Sequence, residues 1–232
     1  MTTFTHWRFH IDQQNIGCLE LDVAGSSVNI LRREVMREWA EIMDNLIKAE
    51  ELAGLCLLSG KKRGFIYGAD IAEFDELKTK ADVHESIELA DTILSGIEAL
   101  DCPTVCGIDG VAVGGGLEVA LAFDRIVVTS SAETKLGFPE IHLGIMPGYG
   151  GTGRAMRRMK AKNVLDMVLS GRLLSANEAK TIGLVDTVVN DTNSLRKAVV
   201  DELSHPAMPD IIQTDSDVKQ AVIQAKDNIL SR

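Results

Sequence analysis

Short apolar runs alternate with helical stripes along this chain, and that alternation restricts its fold more than any single residue does. Residues 16–23 alternate apolar and polar positions over part of their length, as a half-buried strand does. Val35, Trp39, Ile42, Met43, Leu46 and Ile47 then recur at helical spacing between residue 32 and about residue 50. Residues 55–58 are a buried-strand run closed by Ser59-Gly60. A second stripe, Val83, Ile87, Ala90, Ile93, Leu94 and Ile97, leads to Cys102-Pro103, where proline ends a helix. Residues 104–108, 125–129 and 184–189 read as further strands, and a helix starts near Leu117. Ser175-Ala-Asn-Glu178 fits a capping box, and Val218, Val222, Ala225 and Ile229 mark a last helix. No linker rich in Gly, Pro or Ser divides the first 190 residues. The class is α/β, while the topology stays open at this level.

The 232 residues suit one sizeable domain, or a domain with a small appendage. The hydrophobic share of 45% and charged share of 25% are ordinary for a globular chain, so disorder, collagen and coiled coil describe it poorly. A net charge of −10 argues against nucleic acid or an anionic membrane surface as partner, because both would repel the chain. No apolar run approaches the roughly 18 residues of a membrane helix. The opening MTTFTHWRFHIDQQN lacks the basic-then-apolar order of a secretory signal, and four cysteines do not make a disulfide scaffold. The cytoplasm is the expected compartment. Cys102-Pro-Thr-Val-Cys106 has no second Cys/His pair at zinc spacing, so these are expected to be strand and core cysteines and no metal site is read.

Three segments could carry chemistry. Gly114-Gly115-Gly116 removes side chains just before a helix, so backbone N–H groups there can approach an anion or a developing oxyanion. Glu118 follows in the first helical turn, where an acid is also simply favourable. Residues 65–70 bring a second Gly-Ala backbone, and two donors from separate loops would make a useful oxyanion hole, although spacing does not show that Ala69 and Gly115 meet. Glu140 sits among apolar residues between Pro139 and Gly144; partial burial there would raise its pKa and suit proton transfer, whereas an exposed turn glutamate is the plainer reading. His142, with no nucleophile nearby in sequence, reads as structural.

Gly148-Tyr-Gly-Gly-Thr-Gly153 spells GxGxxG, but Met146-Pro147 stands where a strand should lead in, and the later Asp166 has no strand before it. A dinucleotide site is therefore rejected. Lys61-Lys62-Arg63 and the series Arg154, Arg157, Arg158, Lys160 and Lys162 are basic islands that could hold phosphate or form solvated faces.

Together these segments resemble the crotonase, or enoyl-CoA hydratase/isomerase, family. The carrying stretches are GFIYGADIAEF (64–74), GIDGVAVGGGLEVALAFD (107–124), KLGFPEIHLGIMPGYGGTGR (135–154) and LSGRLLSANEAKTIGLVDTVV (169–189). They are collinear and cover most of residues 15–190; the third is most similar to the hydratase domain that opens multifunctional fatty-acid oxidation α chains. The resemblance implies a spiral of ββα units that binds an acyl-CoA thioester. It implies Ala69 and Gly115 as oxyanion donors and Glu118 and Glu140 as catalytic carboxylates. Gly68, Asp70, Ile71, Gly114 and Gly116 become substrate-binding residues. Two carboxylates favour hydration of trans-2-enoyl-CoA in β-oxidation; a 3,2-enoyl-CoA isomerase and an acyl-CoA-binding domain with little activity are the alternatives. No cofactor is implied, since CoA arrives with the substrate.

Gly153 stands where the family usually has glutamine, and Ala155 where it usually has leucine, changes expected to loosen a helix start. Tyr67 replaces a small residue before the Gly-Ala donor and is expected to alter the pocket wall. Residues 1–190 form the expected catalytic core. Residues 191–232 form a helical tail shorter than the family's, read as the start of a linker to a further domain. A homotrimer, or union with other domains of a multifunctional enzyme, are the expected assemblies.

Overall fold

The computed structural model describes residues 4–47, 52–62, 64–205, 210–211 and 213–230. Strand β1 (Trp7–Ile11) pairs antiparallel with β2 (Ile16–Leu21). The other pairings in this six-stranded sheet are parallel: β2 with β3 (Gly54–Ser59), and β3 with β4 (Thr104–Ile108). Beyond β4 the sheet continues through Arg125–Thr129 to Thr187–Val189. Chain order makes these β6 and β8, because β5 (Val111–Val113) and β7 (Lys135–Gly137) lie in a second, two-stranded parallel sheet.

Helices cover both faces of the large sheet, which is why its inner strands are apolar at successive positions rather than at alternate ones. Leu55, Cys56 and Leu57 are all buried, as are Ile126, Val127 and Val128. On one face, α1 (Arg33–Ile47) supplies Trp39 and Ile42, and α3 (Lys80–Glu98) supplies Ile93, Leu94 and Ile97 to the main core. On the other, Leu195 and Val199 of Thr192–Glu202 (α8 in chain order) close a second cluster with Cys56, Val105 and Val127.

Consecutive strands divide between the two sheets. The chain leaves β4 through Asp109-Gly110 into β5 and then α4 (Gly115–Ala120); it leaves β6 into β7 and a 3-10 helix, Pro139–Leu143. Ile66, which follows β3, bridges to Ala112 of β5 and adds a third row. Each strand–strand–helix unit thus steps along the small sheet, giving the expected spiral. Buried Asn29 ties the rows together: its side-chain oxygen accepts from Val23 N–H, its amide faces the Phe65 carbonyl, and its own carbonyl accepts from Tyr67 N–H. That network sets the loop that carries Ala69.

Most of the sequence pattern is found in place, with informative exceptions. The helix near Leu117 begins at Gly115, and the capping box opens α7 (Ala176–Thr181). The strand read at 184–189 narrows to Thr187–Val189, because the Asp186 carboxylate takes the Ile126 N–H at 2.6 Å before ladder pairing starts. Val83 and Ile87 are exposed at 39% and 38%, and the stripe is buried only from Ala90 onward. In α9 (Asp215–Leu230) Ala221 is buried while Val222 is exposed; this helix packs on α6 (Ala161–Ser170). The expectations at 48–50, at Arg63 and at the Ile47 and Ile229 side chains fall outside the described residues. Cys56 and Cys106 are buried free thiols in strands, and Cys18 and Cys102 are half-buried.

Candidate active site

A cavity of about 350 Å³ opens between α3, the short helix α2 (Ile71–Phe74), the start of α4 and the 3-10 helix. Its wall is mainly apolar, with Phe74, Val83, Ile87 and Leu143 among its residues. The exposed half of the α3 stripe is therefore a pocket wall, which explains apolar side chains left outside the core. Ala69, Gly115, Glu118 and Glu140 all line this one space. Tertiary structure thus brings together groups from three segments spread over about 70 positions of sequence.

Neither the Ala69 nor the Gly115 N–H has a backbone acceptor among the described residues, and the local geometry accounts for it. Leu31 N–H donates to the Gly68 carbonyl and Asp70 N–H donates to the Leu31 carbonyl; this parallel bridge turns the Ala69 N–H to the opposite side. Gly115 is the first residue of α4, where a helix leaves its N–H without an internal partner. The two segments touch: a Cβ on Gly68 would stand 3.1 Å from the Val113 carbonyl and 3.6 Å from the Gly115 nitrogen.

Glu118 lies in the first turn of α4 and is buried, at 2% exposure. Its Oε1 accepts from the N–H groups of Tyr149 and Gly151, each at 2.8 Å. Burial pushes its carboxyl above the ordinary range, while those N–H bonds and the charge of Arg154 pull the other way. Glu140 is half-buried at the start of the 3-10 helix, with Oε2 buried and without a partner among the described residues. Burial first, and then the like charge of Glu118, push Glu140 up to about 7. The two carboxylates therefore stand in unlike proton environments on one cavity.

Of the remaining candidates, Gly68, Ile71 and Gly114 line the cavity. Asp70 and Gly116 do not. Asp70 caps α2 through Ala72 N–H and pairs with Arg32 at 2.9 Å. Gly116 is buried where a Cβ would lie 2.2 Å from the Ile66 carbonyl oxygen, so glycine is needed there for packing. Tyr67 lies in the pocket wall, its ring so near Gly64 that a Cβ there would stand 2.5 Å from it.

The GYGGTG segment follows the 3-10 helix, not a strand, and opens α5 (Gly151–Arg158). Its N–H groups hold Glu118 where a dinucleotide fingerprint would hold pyrophosphate. That use was not legible in the sequence, since nothing there marks residue 118 as the acceptor. In the second basic island Arg154 pairs with Glu98 and Arg158 with Asp186, whereas Arg157, Lys160 and Lys162 are exposed. These pairs line a separate cleft of about 810 Å³ away from the carboxylates. In the first island, Lys61 pairs with Asp22 at 2.6 Å. Among the described residues no group of three or more His, Cys, Asp or Glu side chains could hold a metal ion, and no helix is long and apolar enough to cross a membrane.

The spiral of strand–strand–helix units and the apolar pocket onto which Ala69, Gly115, Glu118 and Glu140 open define a crotonase-type fold. The chain belongs to the enoyl-CoA hydratase/isomerase family, whose profile matches residues 13–229. It is 38% identical over 187 residues to the fatty acid oxidation complex subunit alpha of Shewanella sp. strain MR-4, covering 81% of this chain and 26% of that protein. The subunit alpha of Shewanella loihica is 39% identical over 184 residues, covering 79% and 26%. The chain thus spans about a quarter of the length of these curated relatives. Among solved structures, an enoyl-CoA hydratase from Geobacillus kaustophilus superposes with a TM-score of 0.80 at 25% identity, covering 86% of this chain and 74% of that one. One from Bacillus anthracis gives 0.78 at 24% identity over 98% and 92%, a likeness of fold.

Proposed function

We propose that this chain is an enoyl-CoA hydratase that adds water across the 2,3 double bond of trans-2-enoyl-CoA. The observation that carries the reading is that two carboxylates, one held by loop N–H groups and one with a buried oxygen unpartnered among the described residues, share one apolar cavity with two backbone N–H groups that have no backbone acceptor among the described residues. The Ala69 and Gly115 N–H groups hold the thioester carbonyl oxygen and stabilise the enolate-like charge that builds on it. Glu118, fixed through Oε1, takes a proton from water as the oxygen attacks C3. Glu140, protonated near neutrality, delivers a proton to C2. The carboxylates exchange one proton per turnover and titrate as a couple. CoA arrives with the substrate, and the apolar wall receives the acyl chain. The cytoplasm, and an assembly with other domains of a multifunctional oxidation enzyme, complete the reading.

The test is loss of the conjugated enoyl-thioester absorbance of crotonyl-CoA with wild type, Glu118→Gln and Glu140→Gln. Turnover by wild type that both substitutions abolish supports the two-carboxylate mechanism; turnover retained in both overturns it. Activity on 3-enoyl-CoA that survives only in Glu118→Gln would point to the isomerase, which can work with one carboxylate. Binding of CoA thioesters without any turnover would point to a binding domain.

A further inference from the structure

Glu118 takes its place from the loop at 148–151, and one buried cation holds that loop. Arg154, on α5, is 6% exposed. Its Nη1 donates to the Tyr149 carbonyl at 2.5 Å, and its Nη2 donates to Glu98 Oε2 at 2.7 Å. Glu98 is the last residue of α3 and also receives Arg157, so the far end of the link is anchored on a long helix packed into the main core. The near end passes over Gly150, where a Cβ would lie 2.7 Å from Nη1. The backbone of Tyr149 is therefore gripped on both sides: its carbonyl by Arg154, and its N–H by Glu118.

We propose that Arg154 is a positioning residue of the reaction: by gripping the Tyr149 carbonyl from its anchor on α3, it holds two N–H donors on Glu118 and so fixes the carboxylate that handles water. The inference rests on the hydratase reading for its kinetic consequence, but the link itself does not. A planar guanidinium is suited to the task because it spans two acceptors in fixed directions, whereas an ammonium is a point charge on a flexible stem. Among the described residues, the charged and titratable groups around Glu118 are Glu140 from the 3-10 helix, Tyr149 from the loop and Arg154 from α5. Glu98 on α3 and Glu73 on α2 stand one contact further out, beside Arg154 and Tyr149.

The experiment uses the full chain as wild type, Arg154→Met, Arg154→Lys and Glu98→Ala. It measures crotonyl-CoA hydration and the Glu118 carboxyl titration by carbon NMR on glutamate-labelled protein, with the resonance assigned through Glu118→Gln. In Arg154→Met, kcat is expected to fall about 10- to 100-fold with KM little changed, as for loss of a group that orients a reacting residue. The Glu118 midpoint should rise, because a nearby positive charge that favours its anion is gone. Arg154→Lys should restore the midpoint without restoring the full kcat. Wild-type kcat and midpoint in Arg154→Met would overturn the proposal, and so would a fall in kcat with an unmoved midpoint. Should Arg154→Met not fold, Glu98→Ala decides: it keeps the cation and removes its anchor, so kcat should fall, and wild-type kcat there would overturn the link. If the wild type does not hydrate crotonyl-CoA at all, the hydratase reading fails, while the NMR midpoints still report whether Arg154 governs Glu118.

Discussion

Gly151 donates its N–H to Glu118 Oε1 at 2.8 Å and stands so close that a Cβ at 151 would lie 2.4 Å from Glu118 Cγ. The same residue thus holds the carboxylate and leaves room for it. A methyl group there displaces Glu118, since Phe138 blocks the other side at 3.0 Å. Gly151→Ala is expected to lower kcat for crotonyl-CoA about 100-fold, the scale of a misplacement near 1 Å at a reacting group. Steady-state kinetics on folded variant protein check this; a change below threefold would show that Glu118 tolerates the shift.

Glu140 carries a pH signature of known sign. Its folded pKa is raised to about 7 from 4.5, so between those values the native state holds a proton that the unfolded chain has released. Stability contributed by this group is present at low pH and declines as pH rises toward 7, by up to about 3 kcal/mol. Glu140→Gln removes the effect. Urea unfolding at pH 5 and pH 8 should show the variant gaining on wild type at the higher pH. Parallel pH profiles for the two proteins would contradict the shift.

The same proton predicts the alkaline limb of activity. A general acid must carry its proton, so hydration should weaken as pH rises past about 7. A kcat/KM profile on crotonyl-CoA that stays flat from pH 6 to 9 would remove Glu140 from the acid role.

Gly153 is an exposed glycine inside α5 with nothing within 4 Å of where a Cβ would stand. The departure from the family's glutamine therefore leaves the helix intact but costs it backbone entropy. Gly153→Ala should stabilise the chain by about 0.5–1 kcal/mol with activity unchanged. Thermal unfolding tests this directly, an unchanged or lower Tm counting against it.

The tail read as beginning at residue 191 includes α8, which closes a core cluster of its own. Leu195 and Val199 are buried against Val105 and Val127, and Glu202 accepts from Thr187 and pairs with Arg125 at 2.5 Å. Leu195→Ala should cost about 2–5 kcal/mol, the usual range for emptying a buried leucine site. A chain ended at residue 190 should not unfold cooperatively in urea, and a sharp transition would show that the sheet does not need this cover.

The sequence by itself determined the alternation of strands and helices, the capped start of α7 and the glycines that later prove to be crowded. These depend on local chemistry: apolar period, proline geometry and the absence of a Cβ. It also marked Ala69, Gly115, Glu118 and Glu140 as candidates, because each sits in a local pattern with a chemical use. Only the tertiary structure decided that the four line one cavity, since loops far apart in the chain meet through the spiral. It also turned Asp70 and Gly116 to capping and packing, and Val83 and Ile87 to a pocket wall. Arg154 could not be read beforehand, because its partners lie 5 positions away at Tyr149 and 56 away at Glu98. A basic residue in sequence shows its charge, and only folding shows which acceptors that charge can reach.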